Sequence, residues 1–416
     1  MGDVVITGLA VVSPLGADLD AYWAGLLAGR VPIQPLRYPG SAIDGAPTYV
    51  VDDGTQASTV DPAGTGHGRA SRFALAAAGG ALAHAGLAGA EARAGVGLCV
   101  GVGNGDSDLL EADRDGRRPA RDLEWYPYGT AGVLAAELGT LGPNLSVATA
   151  CSAGAYAVGV GADLVAAGAA EVVLVGGAEA VCRPAMGAFL RLGAVDPLHC
   201  RPFDADRAGT VYGEGAAFLV LESGAHAQAR GQRALARVVA SAWSCDAHHA
   251  TAPDPAGEQA VRAAQEAMAR ARLTPADLGA VVCHGTGTPA NDRMESISLA
   301  RLLGERVAGV PATALKSVLG HSGGAAGAFS CLTAALIASR GQVPPVPTLH
   351  RLDDECRLDV RTETAQLGPA RAVLVNAYAF GGNNISVLIA PPTEARAPAP
   401  VPAPALTSAG RPGGRP

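Results

Sequence analysis

Short uninterrupted apolar runs alternate along this chain with longer Ala-rich or amphipathic segments, and glycine or proline punctuates most of the junctions. Short apolar runs bounded by turn residues read as buried strands, and the longer periodic segments read as helices. On that basis Val4–Gly8 is a strand, Ser13-Pro14-Leu15-Gly16 a turn and Leu19–Leu27 a helix, while residues 31–68 are irregular loop. A helix is expected over Ser71–Ala88 and a buried strand over Val96–Val102, running into the Gly-rich segment 101–105. Further strands are expected at Ala217–Leu221, Ala234–Ser244, Ala280–Cys283, 372–375 and 385–389, with helices at Gln259–Ala271, from Asp292 onward and over 324–339. Strand and helix therefore alternate in two halves, each with strands that end in polar loops, which predicts an α/β protein built from two layers of similar design. The divisions expected are 1–252, 253–390 and a Pro/Ala/Gly-rich disordered tail over 391–416.

One stretch carries the sharpest signal. From Asn144 to Ala180 a short apolar run leads into Thr149-Ala150-Cys151, then small residues, a long Ala/Gly/Val segment and a second apolar run from Val172 to Val175. The pattern is strand, sharp turn, buried helix, strand. A thiol at the start of a helix faces the positive end of the helix dipole and can be held as a reactive thiolate. An inert buried cysteine fits the same stretch, so the rest of the chain has to decide between the two.

Composition narrows the classes. Of the 416 residues 49% are hydrophobic and only 4% aromatic, so a large core must be built from Ala, Val and Leu around 55 glycines. A net charge of −7 offers no basic footprint for nucleic acid. The most apolar region, 155–182, is broken by Asp163 and Glu171 and reads as a buried helix plus strand, with no membrane span. The eight cysteines are scattered without a CxxC pair, which argues against a metal site and against a disulfide framework. Met1-Gly2-Asp3 runs straight into the first apolar strand, so no leader is expected. The expectation is a soluble, cytoplasmic protein kept in a reducing compartment. Among 31 basic residues only Lys316 is a lysine. A surface position tolerates arginine readily, whereas a buried, hydrogen-bonded ammonium does not.

Four loops hold the remaining candidate chemistry. Besides Cys151, His284 follows an apolar run and precedes Gly285-Thr286-Gly287-Thr288. Lys316 and His321 share one Gly-rich loop, and Phe380-Gly381-Gly382-Asn383-Asn384 forms a glycine turn between two apolar runs. A lone histidine is usually structural, but two at the ends of apolar runs, each flanked by glycine, point to a site. Glycines beside them let a ligand chain pass close to the backbone. A thiol, two imidazoles and one ammonium suit thioester chemistry.

In order, the motifs are TACSAG (149–154), RPFDADR through GEG (201–215), HGTGTPANDRMES (284–296), KSVLGHSGGAAG (316–327) and NAYAFGGNN (376–384). Together they resemble the β-ketoacyl synthases of the condensing-enzyme superfamily, over essentially residues 3–390. The resemblance implies a thiolase-like fold, two similar α/β halves in an α-β-α-β-α stack. It implies that Cys151 is the nucleophile carrying an acyl thioester, and that His284 and His321 promote malonyl decarboxylation and stabilise the enolate as neutral imidazoles. Lys316 would order the histidines and pair with Glu295. The backbone N–H groups of Cys151 and Phe380 would form an oxyanion hole, Phe380 would gate the thiol, and Thr286, Thr288, Gly381 and Gly382 would bind the substrate arm. Cys283 would point away from the site.

No cofactor is implied, because the substrate arrives on the phosphopantetheine of an acyl carrier protein. The implied reaction is decarboxylative Claisen condensation in polyketide, polyene or fatty-acid biosynthesis. A non-elongating acyltransferase and a chain-length-factor-like partner subunit are the alternatives. The implied partners are the carrier protein and a second subunit, in a homodimer or in a heterodimer with a chain-length factor. A net negative chain that meets an acidic carrier needs a local arginine patch, for which Arg117-Arg118 and the Arg201–Arg207 segment are candidates.

Overall fold

The computed structural model describes residues 3–52, 66–116, 125–367 and 372–392. Its strands are β1 (Val4–Val12), β2 (Gly97–Gly101), β3 (Asn144–Val147), β4 (Val172–Glu179), β5 (Gly215–Ser223), β6 (Ala236–Cys245), β7 (Leu278–Val282), β8 (Pro311–Thr313), β9 (Asp359–Val360), β10 (Ala372–Ala379) and β11 (Asn383–Ala390). These lie side by side in one sheet in the order β9-β8-β7-β10-β11-β6-β1-β5-β4-β2-β3. The order repeats about its centre. From β1 outward the run β1-β5-β4-β2-β3 makes two antiparallel pairings and then two parallel ones. From β6 outward the run β6-β11-β10-β7-β8 does the same. An antiparallel pairing of β1 with β6 joins the two sets. In this strand order the second set opens at Ala236, ahead of the division at residue 252 expected from the sequence. The Pro/Ala-rich tail lies, from residue 393 on, outside the described residues.

The longer helices among the described residues are α1 (Leu19–Leu27), α2 (Arg69–His84), α3 (Pro127–Leu138), α4 (Ala153–Ala166), α5 (Arg183–Arg191), α6 (Glu258–Ala271), α7 (Pro289–Leu303) and α8 (Ala326–Arg340). Helices α2 and α3 cover the first strand set from outside, and α6, backed by α7, covers the second. Between the two sets, α4 and α8 pack on each other and on strands of both. The result is the five-layer α-β-α-β-α arrangement. Every residue of α8 from Ala326 to Ile337 is buried, as suits an all-round apolar helix packed between two sets of strands. The largest core cluster draws on β1, β4, β5, α4, α8, β10 and β11, so the middle layer is where the hydrophobic stabilisation is concentrated.

Glycine sets how closely the central helices approach. A Cβ on Gly154 would lie 2.6 Å from the Ala328 nitrogen, and one on Gly327 would lie 2.4 Å from the Ala155 nitrogen. Both obstacles are backbone and cannot rotate away. Gly154→Ala and Gly327→Ala are each expected to destabilise the fold by about 1–3 kcal/mol through overpacking, read as a lower urea midpoint at unchanged slope. Midpoints equal to the unsubstituted protein would show that the two helices have room to separate.

At the outer edge of the first set, β3 is largely exposed, with Leu145 38% and nearby Leu141 83% accessible. An open strand edge with apolar side chains is a template for pairing with another chain.

Candidate active site

The polar loops singled out in the sequence all leave strand ends on the same side of the duplicated design. Cys151 follows β3, His284 follows β7, Lys316 and His321 follow β8, and Phe380 follows β10. In an α/β sheet that is where ligands bind, because helix N-termini and loops converge there. The duplication extends to detail. A 3₁₀ turn at Ala150–Ser152 feeds the buried helix α4, and a 3₁₀ turn at Gly323–Ala325 feeds its counterpart α8. Cys151 and the His321 loop thus occupy corresponding places in the two halves, facing each other across the middle layer. Ala150 has φ +48°, the left-handed region disfavoured for any residue with a Cβ. Holding it there costs about 1–2 kcal/mol, and the bend turns Cys151 out of the strand line and onto the start of α4.

One cavity of about 230 Å³ receives these groups. Cys151, His284, His321, Thr286, Thr288 and Phe380 all line it. The two imidazoles meet edge to face, with ring centroids 6.0 Å apart and planes at 88°. Phe189 stands between Phe380 (5.8 Å) and His321 (5.5 Å), forming an aromatic wall. The hydroxyls of Thr286 and Thr288 are 2.8 Å apart.

The hydrogen bonds settle which nitrogen of each histidine carries the proton. The Gly323 backbone N–H donates to Nδ1 of His321 at 3.1 Å, so a neutral His321 holds its proton on Nε2. Lys316 donates from Nζ to the His284 carbonyl oxygen at 2.6 Å and lies 3.4 Å from Nδ1 of His284. An ammonium has no lone pair to offer, so this Nδ1 is the acceptor and Nε2 carries the proton there too. Burial first, then the Lys316 charge, holds both imidazoles well below their ordinary range, with His321 adding to the effect on His284. Both rings are therefore neutral N–H donors at pH 7.

Cys151 is fully enclosed, and burial pushes its thiol up to about 11. Opposing this are the Lys316 charge and the backbone N–H groups of Cys151 and Phe380, which are directed at the sulfur, while the Glu179 carboxylate works against the thiolate. Desolvation outweighs these opposing groups, which favours the resting side chain as a thiol. Alkylation of Cys151 by iodoacetamide, which needs the thiolate, should accelerate about tenfold per pH unit from pH 7 to 9. A rate already level at pH 7 would show a low-pKa cysteine instead.

Comparison with known proteins agrees with this geometry. The family model for the β-ketoacyl synthase N-terminal domain matches residues 1–227, and that for the C-terminal domain matches residues 235–350. The 3-oxoacyl-[acyl-carrier-protein] synthase 2 of Synechocystis is 34% identical over 92% of this chain and 97% of its own length. The tetracenomycin polyketide synthase ketoacyl synthase alpha subunit of Streptomyces glaucescens is 34% identical over 94% and 98%. Among solved structures, the ishigamide ketosynthase/chain length factor superposes with a TM-score of 0.85 at 35% identity, covering 94% of this chain and 99% of that one. The chain belongs to the β-ketoacyl synthase family. It is thus a condensing enzyme of the acyltransferase type with the thiolase-like fold.

Within this β-ketoacyl synthase two expected placements need correction. Glu295 interacts with Lys316 through its charge but makes no direct ion pair with it. Its carboxylate accepts from the backbone N–H of His284 and of Gly285, each at 2.8 Å. The reason is local: Glu295 sits on α7 directly beneath the 284–288 loop, whose N–H groups need acceptors, and Lys316 is taken up by the His284 carbonyl. Gly381 and Gly382 do not line the cavity. They have φ of +82° and +75° and shape the turn that presents Phe380, tied by Gly381 N–H to the Ala250 carbonyl and by the Gly382 carbonyl to Asp246 N–H. Cys283 is buried away from the cavity beside Lys316, as its strand position predicted.

Three supporting residues went unnoticed in the sequence. Glu179, at the end of β4, accepts from the N–H groups of Gly103 (3.0 Å), Asn104 (2.9 Å) and Gly324 (2.8 Å), lacing three loops around the thiol. Burial pushes it up to about 7 against those donors. Asp292 accepts from the N–H groups of Thr286 (3.1 Å), Gly287 (3.2 Å) and Phe203 (2.7 Å). Phe189 comes from α5. An acid closing a wholly apolar strand, as in Val172–Glu179, was the available signal for the first of these.

Proposed function

We propose that Cys151 accepts an acyl chain from a carrier-bound thioester and that His284 and His321 then direct the decarboxylative condensation of a malonyl thioester with it. The observation that supports this most is the pair of neutral Nε2–H imidazoles in one cavity with the thiol. In the first step the sulfur of Cys151 attacks the incoming carbonyl, and the carrier thiol leaves with the proton. The N–H groups of Cys151 and Phe380 hold the developing oxyanion. In the second step the two Nε2–H groups bind the malonyl thioester oxygen. The bond to the carboxylate breaks, carbon dioxide departs, and its electron pair forms an enolate. The enolate carbon attacks the Cys151 thioester carbonyl, a carbon–carbon bond forms, the carbon–sulfur bond breaks, and the released cysteine thiolate takes a proton from solvent. A dry cavity favours loss of the carboxylate charge without a strong base. Thr286 and Thr288, held by Asp292, line the path of the phosphopantetheine arm, and we assign no bound cofactor.

The identity to a 3-oxoacyl synthase and to a polyketide alpha subunit is the same, 34%. The substrate class we assign is the one common to both names, an acyl chain extended on a carrier. Solved relatives include a ketosynthase with its chain length factor and a type II ketosynthase with its acyl carrier protein. For this chain we infer a carrier protein as donor and a second subunit, either a copy or a chain-length factor, seated on the exposed β3 edge. A cytoplasmic setting belongs to the same reading, since all eight cysteines are free thiols and Cys151 must stay reduced. Among the described residues no helix is long and apolar enough to cross a membrane.

The test is incubation with an acyl carrier and a malonyl carrier, following released carbon dioxide and the mass of the carrier-bound product. A product two carbons longer, with one carbon dioxide per turn, is expected. Acyl transfer without carbon dioxide would replace this reading with the non-elongating acyltransferase. A chain that takes up no acyl group, and acts only when added to an active subunit, would be a chain-length factor.

A further inference from the structure

Among the described residues the large hydrophobic side chains left open to solvent fall mostly into two groups. Tyr128, Leu141 and Leu145 lie around α3 and the β3 edge, where a second subunit is placed above. Leu190 (44% exposed), Leu192 (49%) and Leu198 (61%) lie at the end of α5 and in the loop that follows. Leu192 also lines the cavity, so this stretch of chain reaches the cavity wall at that residue. Arg191, between the two leucines, is exposed and makes no ion pair among the described residues.

The stretch is held firmly. Gly193 N–H bonds the Leu190 carbonyl, Ala194 N–H the Phe189 carbonyl, and Thr210 N–H the Ala194 carbonyl. The Asp196 carboxylate accepts from the N–H of Leu198 and also pairs with Arg201 at 2.8 Å. The leucines therefore stand on an ordered scaffold that has no internal use for them. Meanwhile the arginines expected from the sequence to receive the carrier are engaged elsewhere. Arg201 pairs with Asp196, and Arg207 pairs with Asp353 inside the loop. Arg117-Arg118 lies outside the described residues.

We propose that Leu190, Arg191 and Leu192, continued by Leu198, form the docking surface for the body of the acyl carrier protein, and that the contact is chiefly apolar with one basic anchor. The proposal rests on the carrier-delivered condensation argued above. The occupant follows from continuity with the cavity. A thioester arm that reaches Cys151 past Thr286 and Thr288 must leave the protein carrying it seated on this stretch. An apolar helix face with acidic neighbours on the carrier matches two leucines that flank an arginine. Apolar contact also sidesteps the bulk repulsion between an acidic carrier and a chain of net charge −7.

Leu190 and Leu198 do not line the cavity, so Leu190→Glu and Leu198→Glu test the surface without touching the chemistry. Acylation of Cys151 is followed by intact mass with an octanoyl group presented either on a type II acyl carrier protein or on free pantetheine. The expected result is a KM for the carrier form raised about tenfold or more by each substitution, as for a central interface residue, with octanoyl-pantetheine handled as by the unsubstituted protein. An unchanged KM for the carrier form would overturn the docking surface, and so would an equal rise for both substrates. A drop in oligomeric mass on gel filtration of the glutamate variants would reassign the leucines to a subunit contact. If the unsubstituted protein accepts octanoyl from neither donor, the condensing-enzyme reading itself fails, which is a separate outcome.

Discussion

Cys151→Ala is expected to abolish acyl uptake and, with it, condensation, a loss of about a thousandfold or more, while decarboxylation of the malonyl carrier continues. The two halves of the chemistry use different groups. In the proposed mechanism the sulfur takes the chain, whereas the donors for the enolate are the Nε2–H groups of His284 and His321, whose Nδ1 atoms face Lys316 and the Gly323 N–H rather than the thiol. No other cysteine can take over. Burial raises the thiols of Cys99, Cys182, Cys200, Cys283, Cys331 and Cys356, and none of them lines the cavity. Cys245 is exposed but is also absent from the cavity wall, so it is open to alkylating reagents and not to the substrate. Intact mass after exposure to acyl carrier reads the first half, and carbon dioxide release reads the second. A +acyl mass on the variant would place the nucleophile elsewhere. Loss of carbon dioxide release together with acylation would show that the sulfur takes part in both halves.

The elements of the fold were largely legible in the hydrophobic pattern. Leu19–Leu27 forms as read, and the expected helix at Gln259–Ala271 differs from the observed Glu258–Ala271 only at its first residue. The first strand runs on past the glycine that interrupts its apolar run. Val4–Gly8 extends to Val12 because β1 is covered on both faces and its Gly8 allows α2 to approach, a requirement of packing that periodicity does not carry. The cavity-lining groups were legible because each sits in a glycine-flanked loop at a strand end. What lay behind them was not. The partners of Glu179, Asp292 and Glu295 are backbone N–H groups, some distant in sequence and some in the neighbouring 284–287 loop, and a backbone donor leaves no residue type to recognise. The direct Glu295–Lys316 contact is absent for that reason: the two charges still attract, but the buried carboxylate takes its hydrogen bonds from the nearest unsatisfied donors.

Lys316→Met is expected to lower the rate of malonyl decarboxylation by about a hundredfold, the scale on which an orienting partner of a reactive imidazole contributes, and to change its pH profile. In the unsubstituted protein the Lys316 charge helps hold His284 and His321 well below their ordinary range, so both stay neutral and the rate should be level from pH 6 to 8. Without that charge both pKa values move up, while burial, the larger cause, still keeps them below the ordinary histidine range. Protonation then places an N–H on Nδ1 of His321, facing the Gly323 N–H that now points at it, and the ring loses its fixed orientation. The sign is therefore definite: on acidification the variant's activity should begin to fall at a higher pH than that of the unsubstituted enzyme. Lys316→Arg separates charge from geometry. The free space beside Lys316 is only about 10 Å³, bounded by Cys283, Leu319, Phe329 and neighbours, too little for a planar guanidinium to replace the ammonium in place. Arginine should thus keep the flat pH profile and lose the rate. A merely space-filling lysine would predict the reverse ordering, with methionine tolerated and its profile level, and that result would remove Lys316 from the catalytic arrangement.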